Sequence, residues 1–267
     1  GFDNILVTPN REVHRKLTKY SFLNLLHPFQ SFIVGQKIAA PKIAIKYKIP
    51  LIIYGENPAE YGNNIDDNFK PKMDESYFSI EKSKLNNFYL AGYLKKELIN
   101  RNILTEKDFN FYKPIDVEEV RANNLEIHYM SYYKRWDPQE NYYYAVDNCG
   151  FKPAEQRTVG SYSKYSSLDD KIDMFHYYTT CIKFGIGRAT YDSSQEVRNG
   201  KIDREEAISL VKRFDLEFPE RFFSYFLEYT GLNKDEFFNT VDNFRPEHLW
   251  YKYGNEWYLK NPVWKNK

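Results

Sequence analysis

Apolar positions along the chain alternate between short continuous runs and helical stripes, a pattern that predicts mixed α/β structure. The run Asn4 to Thr8 reads as a short buried strand of the kind found inside a parallel sheet. Asn10 then offers a cap to a helix whose Val13, Leu17, Tyr20 and Leu23 or Asn24 recur at helical spacing. A turn at His27-Pro28 leads to residues 29–34, then Gly35-Gln36 and a Lys-rich helix near 41–48. Pro50 to Tyr54 repeats the buried-strand pattern and runs at once into Gly55-Glu56-Asn57-Pro58-Ala59-Glu60-Tyr61-Gly62. Strand, helix, strand in this order predicts a βαβ arrangement, with ligands expected where strands end in loops.

Residues 63–80 are polar and read as an excursion, followed by a helix expected near 88–101 and a third strand from Leu125 to Tyr133. Asp137-Pro-Gln-Glu140 combines an N-cap, a proline at N1 and a glutamate at N3, and the helix it starts should stop at Gly150. From about residue 165 the pattern is helical. Ser167 and Asp170 are placed to open a long helix to Phe184, while Asp203 with Glu206 and Asn233 with Glu236 open two more. Pro219 begins another helix, ended by Gly231, and 249–259 around Gly254-Asn255 suits a β-hairpin. The expected fold is thus α/β: a remnant of a parallel sheet over 1–157, then a helical C-terminal region with a terminal hairpin over 158–267. The first strand has no neighbour before it and the chain opens on Gly1, which leads to the expectation of a C-terminal portion of something longer.

Composition narrows the function classes. The net charge is +1, from 38 basic and 37 acidic residues, so no global field draws the protein to nucleic acid or anionic lipid. The longest apolar run, Ile49 to Tyr54, is too short to cross a membrane, and the opening residues lack the charged and apolar regions of a signal peptide. Two cysteines, Cys149 and Cys181, cannot build a disulfide framework, which points to a reducing, cytoplasmic setting. Aromatic residues make up 18% of the chain, an excess that suits either an aromatic core or partly wet clefts.

Three constellations could carry chemistry. In the 55–62 loop, Gly55 and Gly62 permit close backbone approach to a ligand, and Glu56 and Glu60 supply a candidate general base and a candidate Mg²⁺ ligand; a solvated turn has the same pattern. On the helix expected from Leu168, Asp169, Asp173, His176, Thr180 and Lys183 fall on one stripe. Such a polar line on a largely apolar helix either faces a site or is paired internally. Lys183-Phe-Gly185-Ile-Gly187-Arg188 ends a helix in glycines between two cations, suited to a phosphate or pyrophosphate, though glycine also ends helices for steric reasons alone. Lys164, next to Tyr165, adds another cation upstream. Walker, dinucleotide, zincin, nucleophile-elbow and CxxC motifs are absent from the sequence, and of the five histidines only His176 shares a stripe with other polar candidates.

The segments HPFQSFIVGQK (27–37), PLIIYGENPAEYG (50–62), YYKRWDPQENYYYAVDNCGF (132–151), SKYSSLDDKIDMFHYYTTCIKFGIGRATYD (163–192) and FRPEHLW (244–250) together resemble the N-acetyl sugar amidotransferases of bacterial surface-polysaccharide synthesis. That group includes lipopolysaccharide (O-antigen) and pseudaminic-acid acetamidino enzymes. The resemblance implies a Rossmann-like PP-loop ATPase of the adenine-nucleotide alpha-hydrolase type, using ATP and Mg²⁺. It implies that a sugar N-acetyl group is adenylated and that ammonia displaces AMP. The ammonia would come from a HisH-like glutaminase, with a HisF-like subunit as a further candidate partner, and the substrate would be a nucleotide sugar or a nonulosonate. On this resemblance Glu56, Lys183 and Arg188 are expected to be catalytic, and Gly55, Asn57, Gly185, Gly187 and Lys164 to meet the nucleotide. Asp169, Asp173, His176 and Tyr165 are expected at the sugar, and Glu60 at Mg²⁺. The family's Ser-Gly-Gly-Lys-Asp-Ser-type loop and paired N-terminal cysteines would fall upstream of Gly1, and Asn63 stands where many relatives have glycine. A catalytically incomplete fragment, or a nucleotide-sugar-binding module, is therefore the competing expectation. A tRNA-modifying PP-loop enzyme fits the neutral charge poorly.

Overall fold

Asn10 opens the first helix as its sequence predicts: its side-chain oxygen accepts the amides of Glu12 and Val13 at 3.0 and 3.2 Å, and α1 follows as Arg11–Leu25. The computed structural model describes residues 2–55, 57 and 69–265. The chain divides into two units, residues 1–25 with 29–135, and residues 26–28 with 136–267.

In the first unit α2 (Gln30–Tyr47) packs beside α1. It is one continuous helix where only 41–48 was expected to be helical. Pro41 lies inside it and is buried, so packing of the ring offsets the hydrogen bond its missing N–H cannot make. The run 4–8 is not a strand. Residues 2–9 have no regular structure, and Leu6 is 88% exposed. An apolar run becomes a strand only beside a partner, and none pairs with it among the described residues.

β1 (Leu51–Tyr54) pairs instead with β6 (Glu126–Tyr129), parallel and in the register Leu51–Glu126 to Tyr54–Tyr129. Between them come β2 (Ser79–Ile80), β3 (Tyr89–Leu90), β4 (Tyr93–Leu94), α3 (Lys95–Asn100), β5 (Ile115–Asp116) and α4 (Val117–Ala122). β2 and β5 are parallel; β3 and β4 form a tight antiparallel pair. The helix expected over 88–101 is therefore shorter. Ala91 and Gly92 both take positive φ and turn the chain before α3 can start. The predicted third strand is also shorter, because α5 (Met130–Tyr133) takes over after Tyr129. Residues 71–73 run antiparallel along β6, through Met73 N to Ile127 O (2.7 Å) and Tyr129 N to Pro71 O (2.8 Å). One core gathers Val13, Leu17, Phe88, Leu90, Leu98 and Phe109; a second gathers Ala44, Phe78, Ile115, Val120, Ile127 and Tyr129.

The second unit begins with α6 (Pro138–Cys149), whose cap Asp137 accepts the Glu140 amide at 3.0 Å and whose end, Gly150, takes φ 67°. α7 (Asp173–Phe184), α8 (Arg188–Arg198), α9 (Arg204–Phe214), α10 (Phe223–Thr230) and α11 (Lys234–Asn243) follow, then the hairpin β7 (Trp250–Tyr253) and β8 (Glu256–Leu259). The capping boxes at Asp203/Glu206 and Asn233/Glu236 are both formed. α7 starts five residues later than the Leu168 start that a Ser167 cap predicts. Ser167 takes φ 53°, and Asp170 caps the Ile172 amide at 2.6 Å, so the chain turns at the proposed cap. The core here is aromatic: Phe175, Phe218, Phe223, Phe226 and Phe237 meet in edge and tilted contacts. The fold is mixed α/β, with short parallel pairs in the first unit and an antiparallel hairpin closing a helical second unit. Among the described residues, no helix is long and apolar enough to cross a membrane.

Candidate functional site

The sequence-predicted candidates fall in both units. In the first, Gly55 follows β1 and is exposed, and among the described residues no atom lies within 4 Å of where a β-carbon would stand. Asn57 is buried, at 4% exposure. Glu56 and Glu60 lie outside the described residues.

In the second unit the later start of α7 takes Asp169 off the helical stripe, which begins at Asp173. Of the remaining members, Asp173 meets Arg188. Its Nη1 donates to Ser167 Oγ at 2.5 Å and to Asp173 Oδ2 at 3.1 Å, and its Nε lies 3.9 Å from Asp192 Oδ2. The Ser167 hydroxyl donates to Asp173, and that of Ser161 to Asp192. The guanidinium also sits 4.1 Å over the Tyr177 ring. Burial alone would depress the Arg188 pKa, but Tyr177, Asp192 and Asp173 outweigh it and raise it. Asp192 is pushed up by burial and pulled back by Arg188. A charge this deeply buried needs such partners, and Asp173 is paired with Arg188 rather than with the Lys or His of its own stripe.

His176 stacks on His27, ring centroids 4.6 Å apart at 18°. Burial first, then Lys183 and Arg188, lowers His176 to about 4; burial, then His176 and Lys183, lowers His27 to about 3. Both rings are neutral near neutral pH. Lys183 is lowered by burial and lies 5.2 Å from the Phe184 ring.

Gly185 ends α7 at φ 73°, and Gly187 precedes α8. The amides at the start of α8 are engaged by a carboxylate from the chain itself: Asp215 Oδ2 accepts Gly187 N at 2.8 Å and Thr190 Oγ1 at 2.6 Å, and Oδ1 accepts Thr190 N at 2.9 Å. The negative charge at this helix start comes from a residue 28 positions away that no local pattern could reveal. Lys164 bonds the Glu155 carbonyl at 3.1 Å, and Tyr165 donates to Gln139 Oε1 at 3.2 Å while stacking 4.7 Å from Tyr142. The Tyr162 and Tyr165 phenols are pushed up by burial and then by Asp192 and Glu196. Asp192, Asp215, Ser161 and His27 were not singled out in the sequence; the first three are revealed by their convergence on the Arg188 cluster and the α8 start, and His27 by its stack on His176.

Residues 159–263, which include α7 to α11 and the hairpin, match the family model described as LPS biosynthesis protein WbpG-like, C-terminal domain. The match covers less than half of the chain and supports a role in lipopolysaccharide biosynthesis. No curated protein matches the chain. Among the described residues, no group of three His, Cys, Asp or Glu side chains is arranged to hold a metal ion.

Proposed function

We propose that this protein is an ATP-dependent amidotransferase of surface-polysaccharide biosynthesis that converts a sugar N-acetyl group to an acetamidino group. The observation that carries the reading is the WbpG-like match over 159–263. In this reading the first unit is the remnant of a Rossmann-like PP-loop sheet. The amide oxygen of the sugar attacks the α-phosphorus of ATP and releases pyrophosphate. Ammonia then adds to the activated carbon, and AMP leaves with the original oxygen.

The open space at Gly55, at the carboxyl end of a parallel strand, fits close approach of a nucleotide. Mg²⁺ keeps several waters and substrate phosphates and needs only one or two carboxylates, so Glu60 would hold it together with ATP. The ion would offset charge on the departing pyrophosphate. Glu56 would assist ammonia and Asn57 would orient the intermediate; in the second unit Lys183 and Lys164 remain candidates for phosphate. Arg188, already engaged by Asp173 and Ser167, is a positioning residue that holds the start of α7. Asp173, His176 and Tyr165 remain candidates for the sugar side.

The internal engagement of Arg188 and Gly187 also favours a second reading, a nucleotide-sugar-binding module without ATP chemistry. Incubation with UDP-N-acetyl sugars, ATP, Mg²⁺ and ammonium separates the two. AMP release with exchange of the amide oxygen for NH in the sugar's mass spectrum is expected. Tight nucleotide-sugar binding without AMP favours the module; neither result overturns both readings.

A further inference from the structure

On one face of the first unit three side chains form a proton path. β6 turns Ile127 and Tyr129 into the core, leaving Glu126 and His128 on the other face, where the register sets Leu51 and Ile53 beside them. His128 Nε2 lies 3.0 Å from Glu126 Oε2, and its Nδ1 lies 2.6 Å from the Tyr133 hydroxyl. Lys72 donates to Glu126 at 2.8 Å. The Lys72 bond first, and the His128 bond next, hold the Glu126 carboxyl below its usual range, so it is a carboxylate and can only accept. The imidazole hydrogen therefore sits on Nε2, and the free lone pair on Nδ1 accepts the Tyr133 O–H. The path runs from phenol to imidazole to carboxylate, the order that makes a hydroxyl a proton acceptor for an incoming group. Tyr133 is 58% exposed, so that group can reach it, and Leu51 and Ile53, each about half exposed, give the face an apolar floor.

We propose that Tyr133, with His128 and Glu126 behind it, is a general-base site for a nitrogen nucleophile attacking an electrophilic carbon held on this face. As the nitrogen lone pair forms the bond to carbon, one N–H proton passes to the Tyr133 oxygen and the phenolic proton passes to His128 Nδ1. Glu126 stabilises the imidazolium so formed. When the carbon–oxygen bond breaks, its electron pair leaves with the oxygen, and the proton returns through Tyr133 to that leaving group. The identity of the nucleophile as ammonia and of the leaving group as AMP rests on the amidotransferase reading; the relay itself does not.

N-acetylimidazole, which transfers its acetyl group to tyrosine oxygens, tests the relay on the whole protein, with each tyrosine followed by peptide mass mapping. Tyr132, the neighbour in sequence and about half exposed, is the internal control. Tyr133 is expected to react on the order of 10- to 100-fold faster than Tyr132, and His128→Gln should reduce it to the Tyr132 rate with the circular dichroism spectrum retained. If His128→Gln does not fold, Glu126→Gln, at a half-exposed position, serves the same purpose. Equal rates in the unaltered protein, or an excess that survives loss of His128 or Glu126 in a folded variant, would overturn the relay. Tyr133→Phe should also depress ammonium-dependent amidine formation far more than ATP–pyrophosphate exchange, and equal effects on the two would overturn its part in ammonia attack. Absence of AMP release by the unaltered protein would instead overturn ammonia as the nucleophile, while the acetylation excess decides the relay by itself.

Discussion

Gly187 and Asp215 touch so closely that a β-carbon on the glycine would stand 2.7 Å from the Asp215 carbonyl oxygen and 2.9 Å from its Oδ1. The contact lets the carboxylate cap α8 from outside the helix. Gly187→Ala must push back a backbone atom, and should cost about 1–3 kcal/mol of stability. Asp215→Ala leaves the buried amide of Gly187 and its neighbours without an acceptor, at a similar cost of roughly 1–3 kcal/mol. Urea denaturation of both variants checks this; a midpoint unchanged in either would mean that α8 begins without this cap.

Arg188→Met is expected to destabilise the second unit by about 3–5 kcal/mol, because Asp173 and Asp192 would stay buried without their cation. Arg188→Lys should recover only part of the loss, since a single ammonium cannot span Ser167, Asp173 and the Tyr177 face together. Thermal unfolding monitored by circular dichroism measures both.

The stacked pair His27 and His176 predicts an acid-side weakness. Their folded pKa values, about 3 and 4, lie below the ordinary histidine value of 6.5, so the unfolded chain binds more protons between those limits. Their contribution is intact above pH 6.5 and declines as pH falls towards 4, by an amount on the order of a few kcal/mol. Burial raises Asp192 and Asp215, which act in the opposite sense: their contribution is present below the ordinary carboxylate value of 3.8 and is lost as pH rises through their folded values. His27→Phe keeps a ring in the stack and removes one titration. Its stability should fall less steeply than that of the unaltered protein between pH 6.5 and 4, and identical slopes would contradict the assignment.

Lys183 separates chemistry from support. If it stabilises the departing pyrophosphate, Lys183→Met should lower AMP release roughly 30- to 1000-fold, equivalent to about 2–4 kcal/mol in the barrier, with the melting temperature preserved. A lower melting temperature with near-normal AMP release would make it a helix-end cation, worth about 0.3–1 kcal/mol.

Elements whose signals are local were legible in the sequence. Asp137, Asp203 and Asn233 each cap the amide three residues on, and Gly150 and Gly231 end their helices in the left-handed region. Gly254-Asn255 joins β7 to β8 as expected. Elements that depend on distant partners were not. The run 4–8 has strand composition but no strand beside it among the described residues, and Ser167 looks like a cap until Arg188, 21 residues on, draws its hydroxyl aside. The polar stripe of α7 was visible from its spacing, but whether it met a ligand or itself depended on α8. Glu126, His128 and Tyr133 escaped notice for a related reason: the strand period and the following helical turn bring them together, and neither pattern is visible in a list of isolated histidines.

The hairpin sets a constraint on the order of assembly. Trp250 donates its indole N–H to the Ile182 carbonyl at 2.7 Å across 68 residues, satisfying one of the carbonyls that the end of α7 leaves open, while Leu249 and Leu259 lie against Gly185. During synthesis, α7 through α11 leave the ribosome before the residues that complete them. Until the hairpin has emerged, the end of α7 has an exposed polar group and an uncovered apolar edge, the features by which quality-control proteases and chaperones recognise unfinished chains. Nascent chains arrested just before Trp250 should therefore be short-lived in cells, although α6 to α11 have already been made.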